Sequence, residues 1–104
     1  GRTERAGRIR FANFIYNPTA VANVDVFSYS RNANIFTNIA VTDVTGYIPY
    51  ASRVSVDTFY VRETGTTNLL YKTSMSNLTE KRNYTFVYRG SHRGTRTSTL
   101  FSTY

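Results

Sequence analysis

Apolar and polar residues alternate in short runs along most of the chain, a pattern that indicates β-strands with one buried face. In residues 8–15, Ile9 and Phe11 fall on one side of the predicted strand. Arg8 and Arg10 fall on the other side. Every second side chain of a strand points to the same face, so this first strand is expected to bury its apolar positions and expose its arginines.

Six further runs carry a strand pattern, and turn residues separate them. They cover residues 23–29, 35–37, 53–62, 69–74, 84–89 and 95–103. A short segment at residues 47–50 contains Pro49, which cannot donate to a central ladder and places it at a sheet edge. No apolar stripe has the helical period. The pattern predicts an all-β fold, a small antiparallel β-sandwich of immunoglobulin or transthyretin-like form with seven to eight short strands.

Length and composition agree with this prediction. The chain has 104 residues, which is the size of one domain. Thr, Val, Ser, Asn and aromatic residues are abundant, whereas the strong helix formers are sparse. We expect residues 1–7 to be a flexible lead-in, with Gly1 a remnant of tag cleavage, and residues 8–104 to form a single domain.

The chemistry that most enzymes need is scarce in this sequence. The chain contains no Cys and one His, His92, which lies in the basic segment 89–94. A zinc site needs three or four ligands and a catalytic triad needs a positioned His base. Asp25 and Asp57 are predicted on polar strand faces, and Asp43 in a turn. The sequence therefore predicts a protein without catalytic residues, metal or cofactor.

Aromatic residues exceed what one small core can take up. The chain has nine Tyr and seven Phe. The core is expected to take Phe11 and Phe86, one of Phe59 and Tyr60, and one of Tyr84 and Tyr88. Tyrosine is common at recognition surfaces because it offers a rigid ring with a polar tip.

The formal net charge is +7, so basic residues join the surplus tyrosines in a candidate recognition surface. Its predicted members are Tyr16, Tyr29, Tyr47, Tyr50, Arg89, His92, Arg93 and Arg96.

Several short motifs occur in an order that resembles the bacterial envelope modules called domain of unknown function 4397. They are Arg8-Ile9-Arg10-Phe11-Ala12-Asn13 followed by Asn17-Pro18, then Val24-Asp25-Val26-Phe27, Val44-Thr45-Gly46-Tyr47-Ile48 and Tyr84-Thr85-Phe86-Val87-Tyr88-Arg89-Gly90. The chain departs from the family pattern at Ser52-Arg53 and at Lys81-Arg82. The resemblance implies a β-sandwich, secreted or lipid-anchored in the bacterial cell envelope, with no established catalytic activity.

Three functions follow from these observations. The first is a non-enzymatic surface module for adhesion or protein–protein interaction, whose partner is an unknown protein or glycan at the cell surface. The second is a carbohydrate-binding module that uses exposed Tyr. The third is a single-stranded nucleic-acid binder, in which Arg8, Arg10 and Arg89 share a face with Arg93 and Arg96. No apolar run approaches the roughly 20 residues that span a bilayer, so membrane attachment would come from a lipid anchor on the precursor.

Overall fold

The computed structural model describes residues 7–16, 23–50, 55–76, 82–91 and 98–103. Within these ranges the chain forms eight strands and no helix. The strands are β1 (Gly7–Tyr16), β2 (Asn23–Ser28), β3 (Ala33–Ala40), β4 (Ile48–Tyr50), β5 (Val56–Glu63), β6 (Leu69–Ser76), β7 (Asn83–Ser91) and β8 (Ser98–Thr103). The prediction of an all-β fold is confirmed.

The strands are arranged in two four-stranded sheets. Sheet A has the order β4-β1-β7-β8, and sheet B has the order β3-β2-β5-β6. The pairs are antiparallel except β1 with β7, which run parallel from Arg8 opposite Asn83 to Tyr16 opposite Ser91. Two packed sheets of this kind confirm the predicted small β-sandwich.

Four strands, β1, β3, β6 and β7, are longer than their sequence patterns predicted, and β3 and β7 are extended the most. β3 continues to Ala40, past a bulge where Asn38 has a φ of 58°. The pattern after residue 37 is less regular, because β3 lies at the edge of sheet B and half of it is exposed. β7 includes Gly90, which lies beyond the predicted strand at residues 84–89. The alternation rule therefore ended β3 too early because β3 is an edge strand, and it ended β7 too early at Gly90.

The core lies between the two sheets and is built from the inward positions of both. Its fully buried large side chains include five aromatic or aliphatic residues at the centre of the contact: Phe11, Phe59, Val61, Phe86 and Tyr88. The rings of Phe59 and Phe86, one from each sheet, meet edge to face with centroids 5.0 Å apart. The sequence prediction for Phe11 and Phe86 is confirmed, and of the paired alternatives Phe59 is the core residue while both Tyr84 and Tyr88 are buried.

The segment between β3 and β4 forms hydrogen bonds to β1 at Phe11 and Asn13. The amide of Asn13 donates to the Asp43 carbonyl at 3.0 Å, and the amide of Thr42 donates to the Asn13 carbonyl at 2.6 Å. The amide of Thr45 donates to the Phe11 carbonyl at 2.8 Å. These bonds continue the β1–β4 ladder and fix Tyr47 beside β1.

Candidate recognition surface

The outer face of sheet A collects the arginines of β1. Ile9 and Phe11 point into the core and are buried, so the alternate positions Arg8, Arg10 and Phe14 point outward. Phe14 is 47% exposed, which is unusual for so large an apolar ring. β1 is paired on both sides, so this strand is a rigid base for the three side chains.

Arg10 is held in place by β7 and by Tyr47, the residue before β4. Its Nε donates to Thr85 Oγ1 on β7 at 2.9 Å. Its guanidinium carbon lies 4.8 Å from the ring centroid of Tyr47, which is a cation–π contact. Tyr47 remains 40% exposed. The guanidinium is therefore oriented before any ligand arrives, and the loss of side-chain entropy on binding is reduced.

Arg89 lies at the other end of the same face. Tyr84, Phe86 and Tyr88 of β7 are buried, which turns the alternate residue Arg89 outward. In the parallel register Arg89 lies opposite Phe14. At about 3.3 Å per strand residue, the face extends roughly 20 Å from Arg8 to Phe14. None of the described outward positions of β1 and β7 is a carboxylate.

The predicted surface residues are only partly brought together. Tyr47 and Arg89 lie on the outer face of sheet A, as described above. Tyr29 is the most exposed of the described large hydrophobic side chains, at 65%, but it follows β2 of the other sheet. His92, Arg93 and Arg96 lie outside the described residues, as does the side chain of Tyr16.

The assignment of Tyr50 to the recognition surface was wrong. Tyr50 is 4% exposed and belongs to the core. Its hydroxyl donates to the carboxylate of Asp57, and its ring centroid lies 6.0 Å from that of Phe59. The guanidinium of Arg31 covers the ring at 4.6 Å. Because β4 pairs with β1, Pro49 is outward and exposed while Tyr50 turns inward.

Asp57 was also misplaced by the sequence pattern, which put it on a polar strand face. It is fully buried and accepts hydrogen bonds from the hydroxyls of Ser28 and Ser30, from Tyr50, and from the amides of Ser30 and Thr58. Burial acts to raise the pKa of Asp57, but the bonds from Tyr50, Ser30 and Ser28 outweigh it and hold the pKa below its usual value. Burial and the bond to Asp57 raise the pKa of Tyr50.

Asp25 is buried as well, although its strand position is on the outer side of sheet B. The β3 bulge and the β5–β6 turn enclose it. Its Oδ1 accepts from the amide of Asn38 and from the hydroxyl of Thr64, both at 2.8 Å, and its Oδ2 accepts from the amide of Gly65 at 3.2 Å. Asp25 and Asp57 therefore act as internal acceptors, and the basic residues dominate the described surface.

The sequence analysis missed Phe14 and a second group of outward residues on sheet B, formed by Phe27, Tyr60, Arg62 and Lys72. Phe14 has the same strand parity as Arg8 and Arg10, so the alternation rule, carried four residues beyond Arg10, would have found it. The second group joins three strands, and no local pattern signals that pairing.

Metal ligands and membrane-spanning helices are not found in the described part of the chain. No group of three or more His, Cys, Asp or Glu side chains in these ranges is placed to hold a metal ion. No helix there is long and apolar enough to cross a membrane.

Comparison with known proteins adds no relative to this description. No family model, no curated protein and no solved structure matches the chain. The resemblance to the domain of unknown function 4397 modules stays a prediction from motif order, and function has to be argued from the surface itself.

Proposed function

We propose that this domain is a non-enzymatic binding module, secreted or lipid-anchored at the cell surface, that holds an acidic region of a partner protein on the outer face of sheet A. The observation that supports it is one rigid face carrying Arg8, Arg10 and Arg89 with the half-exposed rings of Phe14 and Tyr47. Arginine and aromatic residues are the types that contribute most to protein–protein affinity.

The absence of a carboxylate from the described positions of this face favours an acidic partner. Charge complementarity raises association rates and excludes basic surfaces. The exposed rings add apolar area next to the charges, which distinguishes a contact surface from a merely solvated one. The non-enzymatic part of the proposal is supported by the positions of two acids. Asp25 and Asp57 are buried, and their oxygens already accept hydrogen bonds within the domain.

The test measures binding of the purified domain to immobilised poly-L-glutamate, a simple acidic polypeptide, by biolayer interferometry over a salt series. The Arg8→Ala/Arg89→Ala double variant is compared with Lys81→Ala/Arg82→Ala, which removes the same charge without changing Arg8, Arg10 or Arg89. We expect about tenfold weaker binding for the first and less than twofold for the second. Equal losses would mean that net charge alone binds the polymer, and the proposal would fail.

A single-stranded nucleic acid is the second candidate, because the structure places Arg8, Arg10 and Arg89 on one face with two aromatic rings. Such a face can track a backbone and stack bases. Oligo-dT in the same assay separates the two. Tighter binding to oligo-dT than to poly-L-glutamate, with a steep salt dependence that Phe14→Ser and Arg8→Ala/Arg89→Ala reduce, would favour the nucleic acid.

The cell-surface location is tested separately on the organism that encodes the protein. Protease treatment of intact cells should remove the domain from an immunoblot while an intracellular marker survives. Complete protection of the domain in intact cells, with cleavage after lysis, would exclude the outer surface.

A further inference from the structure

The outer face of sheet B carries a cluster of two rings and two cations, which we call the Arg62 cluster: Phe27, Tyr60, Arg62 and Lys72. Phe27 and Tyr60 are register partners on β2 and β5, and their rings meet edge to face with centroids 5.8 Å apart. Lys72 of β6 lies opposite Tyr60. The cluster therefore spans three adjacent strands of one sheet.

Arg62 is oriented by both rings. Its guanidinium carbon is 4.4 Å from the centroid of Phe27 and 5.2 Å from that of Tyr60. A guanidinium laid on aromatic faces keeps the N–H groups at its edge available, in the planar fork that matches an oxyanion. Arg62 is only partly buried, so this edge can be reached from solvent.

A second cation converges on the same place. The Nζ of Lys72 is 5.8 Å from the centroid of Tyr60, so both positive groups lie within 6 Å of the centre of one ring. Two positive charges therefore border the same ring, where one anionic group can attract both. In the described part of the chain, the contacts of Arg62 and Lys72 are with aromatic rings and not with a carboxylate.

The nearest carboxylate in the register does not neutralise the cluster. Asp25 lies opposite Arg62, but its oxygens accept from Asn38, Thr64 and Gly65. Arg62 turns toward the rings instead. The negative charge of Asp25 is thus enclosed beside the cluster while the two cations face outward.

The surroundings of the cluster suit a sugar better than a protein. Thr58 and Ser74 lie one outward row away from Tyr60 and Lys72, and their hydroxyls are 3.0 Å apart and exposed. Tyr29 donates its amide to the Thr58 carbonyl at 2.9 Å, and its ring is largely exposed at the end of this row. Hydroxyls and open rings beside an anion site offer hydrogen bonds and stacking to a pyranose.

From this arrangement we infer a binding site for an acidic polysaccharide, with a carboxylate or sulfate of the sugar between Arg62 and Lys72 and the ring of a neighbouring residue along Tyr29, Thr58 and Ser74. The site is separate from the outer face of sheet A, and neither depends on the other. In this site Tyr29 contacts a sugar ring, and Arg62 and Lys72 bind the charged group of the polysaccharide.

The experiment titrates the purified domain with polygalacturonate, dextran sulfate and neutral dextran by isothermal calorimetry. Binding of either acidic polymer, and not of dextran, is expected, and the comparison shows whether carboxylate or sulfate is preferred. Arg62→Gln/Lys72→Gln should weaken it about tenfold. The charge-matched variant Lys81→Gln/Arg82→Gln, which changes neither the Arg62 cluster nor Arg8, Arg10 and Arg89, should change it less than twofold.

A conservative variant and a folding control complete the experiment. Arg62→Lys keeps the charge but loses the planar fork, so we expect an intermediate loss of a few fold. Far-ultraviolet circular dichroism and thermal unfolding verify that each variant is folded. Equal losses for the two charge-matched variants, or poly-L-glutamate binding as tightly as the acidic sugars at this site, would overturn the inference, whatever the outcome for sheet A.

Discussion

The hydroxyl of Tyr50, on the edge strand β4 of sheet A, donates to the carboxylate of Asp57, on β5 of sheet B. The two residues are close in sequence but belong to different sheets. Asp57 also accepts from Ser28 and Ser30, on and just after β2. The carboxylate therefore joins the two layers of the sandwich at one end of the core. Its hydrogen bonds are directional, whereas an apolar contact between the layers would not be.

Replacing Asp57 by Asn should lower the free energy of unfolding by about 3 kcal/mol. The amide keeps the size of the carboxyl group but has one acceptor oxygen in place of two, so several buried donors lose their partner. Urea unfolding followed by circular dichroism measures the change. Asp43→Asn, at an exposed position after β3, is the matched control and should stay within about 0.5 kcal/mol.

The same group predicts how stability depends on acid. The pKa of Asp57 in the folded protein lies below its unfolded value of about 3.8, so its ionised form stabilises the fold. This contribution is fully present above the unfolded pKa and is lost as the pH falls through the folded pKa. The difference in unfolding free energy between the wild type and Asp57→Asn should therefore be constant from about pH 5 to pH 8 and shrink below about pH 4.

Urea titrations of both proteins at a series of pH values measure this difference. Because the remaining carboxyl groups are common to the two proteins, their titration cancels in the comparison. A difference that stays unchanged down to pH 2.5 would show that Asp57 does not carry the acid-dependent stability assigned to it.

Much of this fold follows from the sequence because burial in a sandwich imposes a period of two. Ile9 and Phe11 were correctly predicted inside and Arg8 and Arg10 outside. The basic outer face of sheet A extends this rule to Arg89, which becomes a neighbour of β1 through the parallel β1–β7 pair. The alternation gives the side of each residue, but not which strands lie next to each other.

The errors occur where a polar side chain is buried by contacts distant in sequence. Asp57 alternates with the buried Phe59 and Val61, but a carboxylate is tolerated at that inward position because donors from the end of β2 and from β4 reach it. Tyr50 looked exposed because it follows Pro49 at a sheet edge, and an edge strand still has one inward face. The Arg62 cluster was missed for a related reason, because its members meet only through the order β2-β5-β6.

We expect Asp25 to stabilise the backbone at two positions rather than the fold as a whole. Its carboxylate accepts from the amides of Asn38, at the β3 bulge, and of Gly65, in the β5–β6 turn. In Asp25→Ala both amides lose their acceptor, and hydrogen exchange measured by NMR should accelerate about tenfold at each. The amide of Thr58, which donates to Asp57 instead, provides an internal reference.

The reference amide decides how the exchange result is interpreted. If Thr58 accelerates as much as Asn38 and Gly65, the substitution has destabilised the whole domain and the local role assigned to Asp25 is wrong. Asp43→Ala, at the exposed position used above, should leave all three amides unchanged.

Thr42 adopts a backbone conformation that suits glycine better than a β-branched residue. Its φ is 76°, and its amide donates to the Asn13 carbonyl to hold the segment after β3 against β1. A side chain in this region costs about 1–2 kcal/mol, so Thr42→Gly should stabilise the protein by about 1 kcal/mol after the larger entropy of glycine is counted. Thr37→Gly, at an exposed β3 position without positive φ, should instead destabilise it by about 1 kcal/mol. Chemical unfolding of both variants provides the comparison, and a loss of stability in Thr42→Gly equal to that in Thr37→Gly would show that position 42 is not strained.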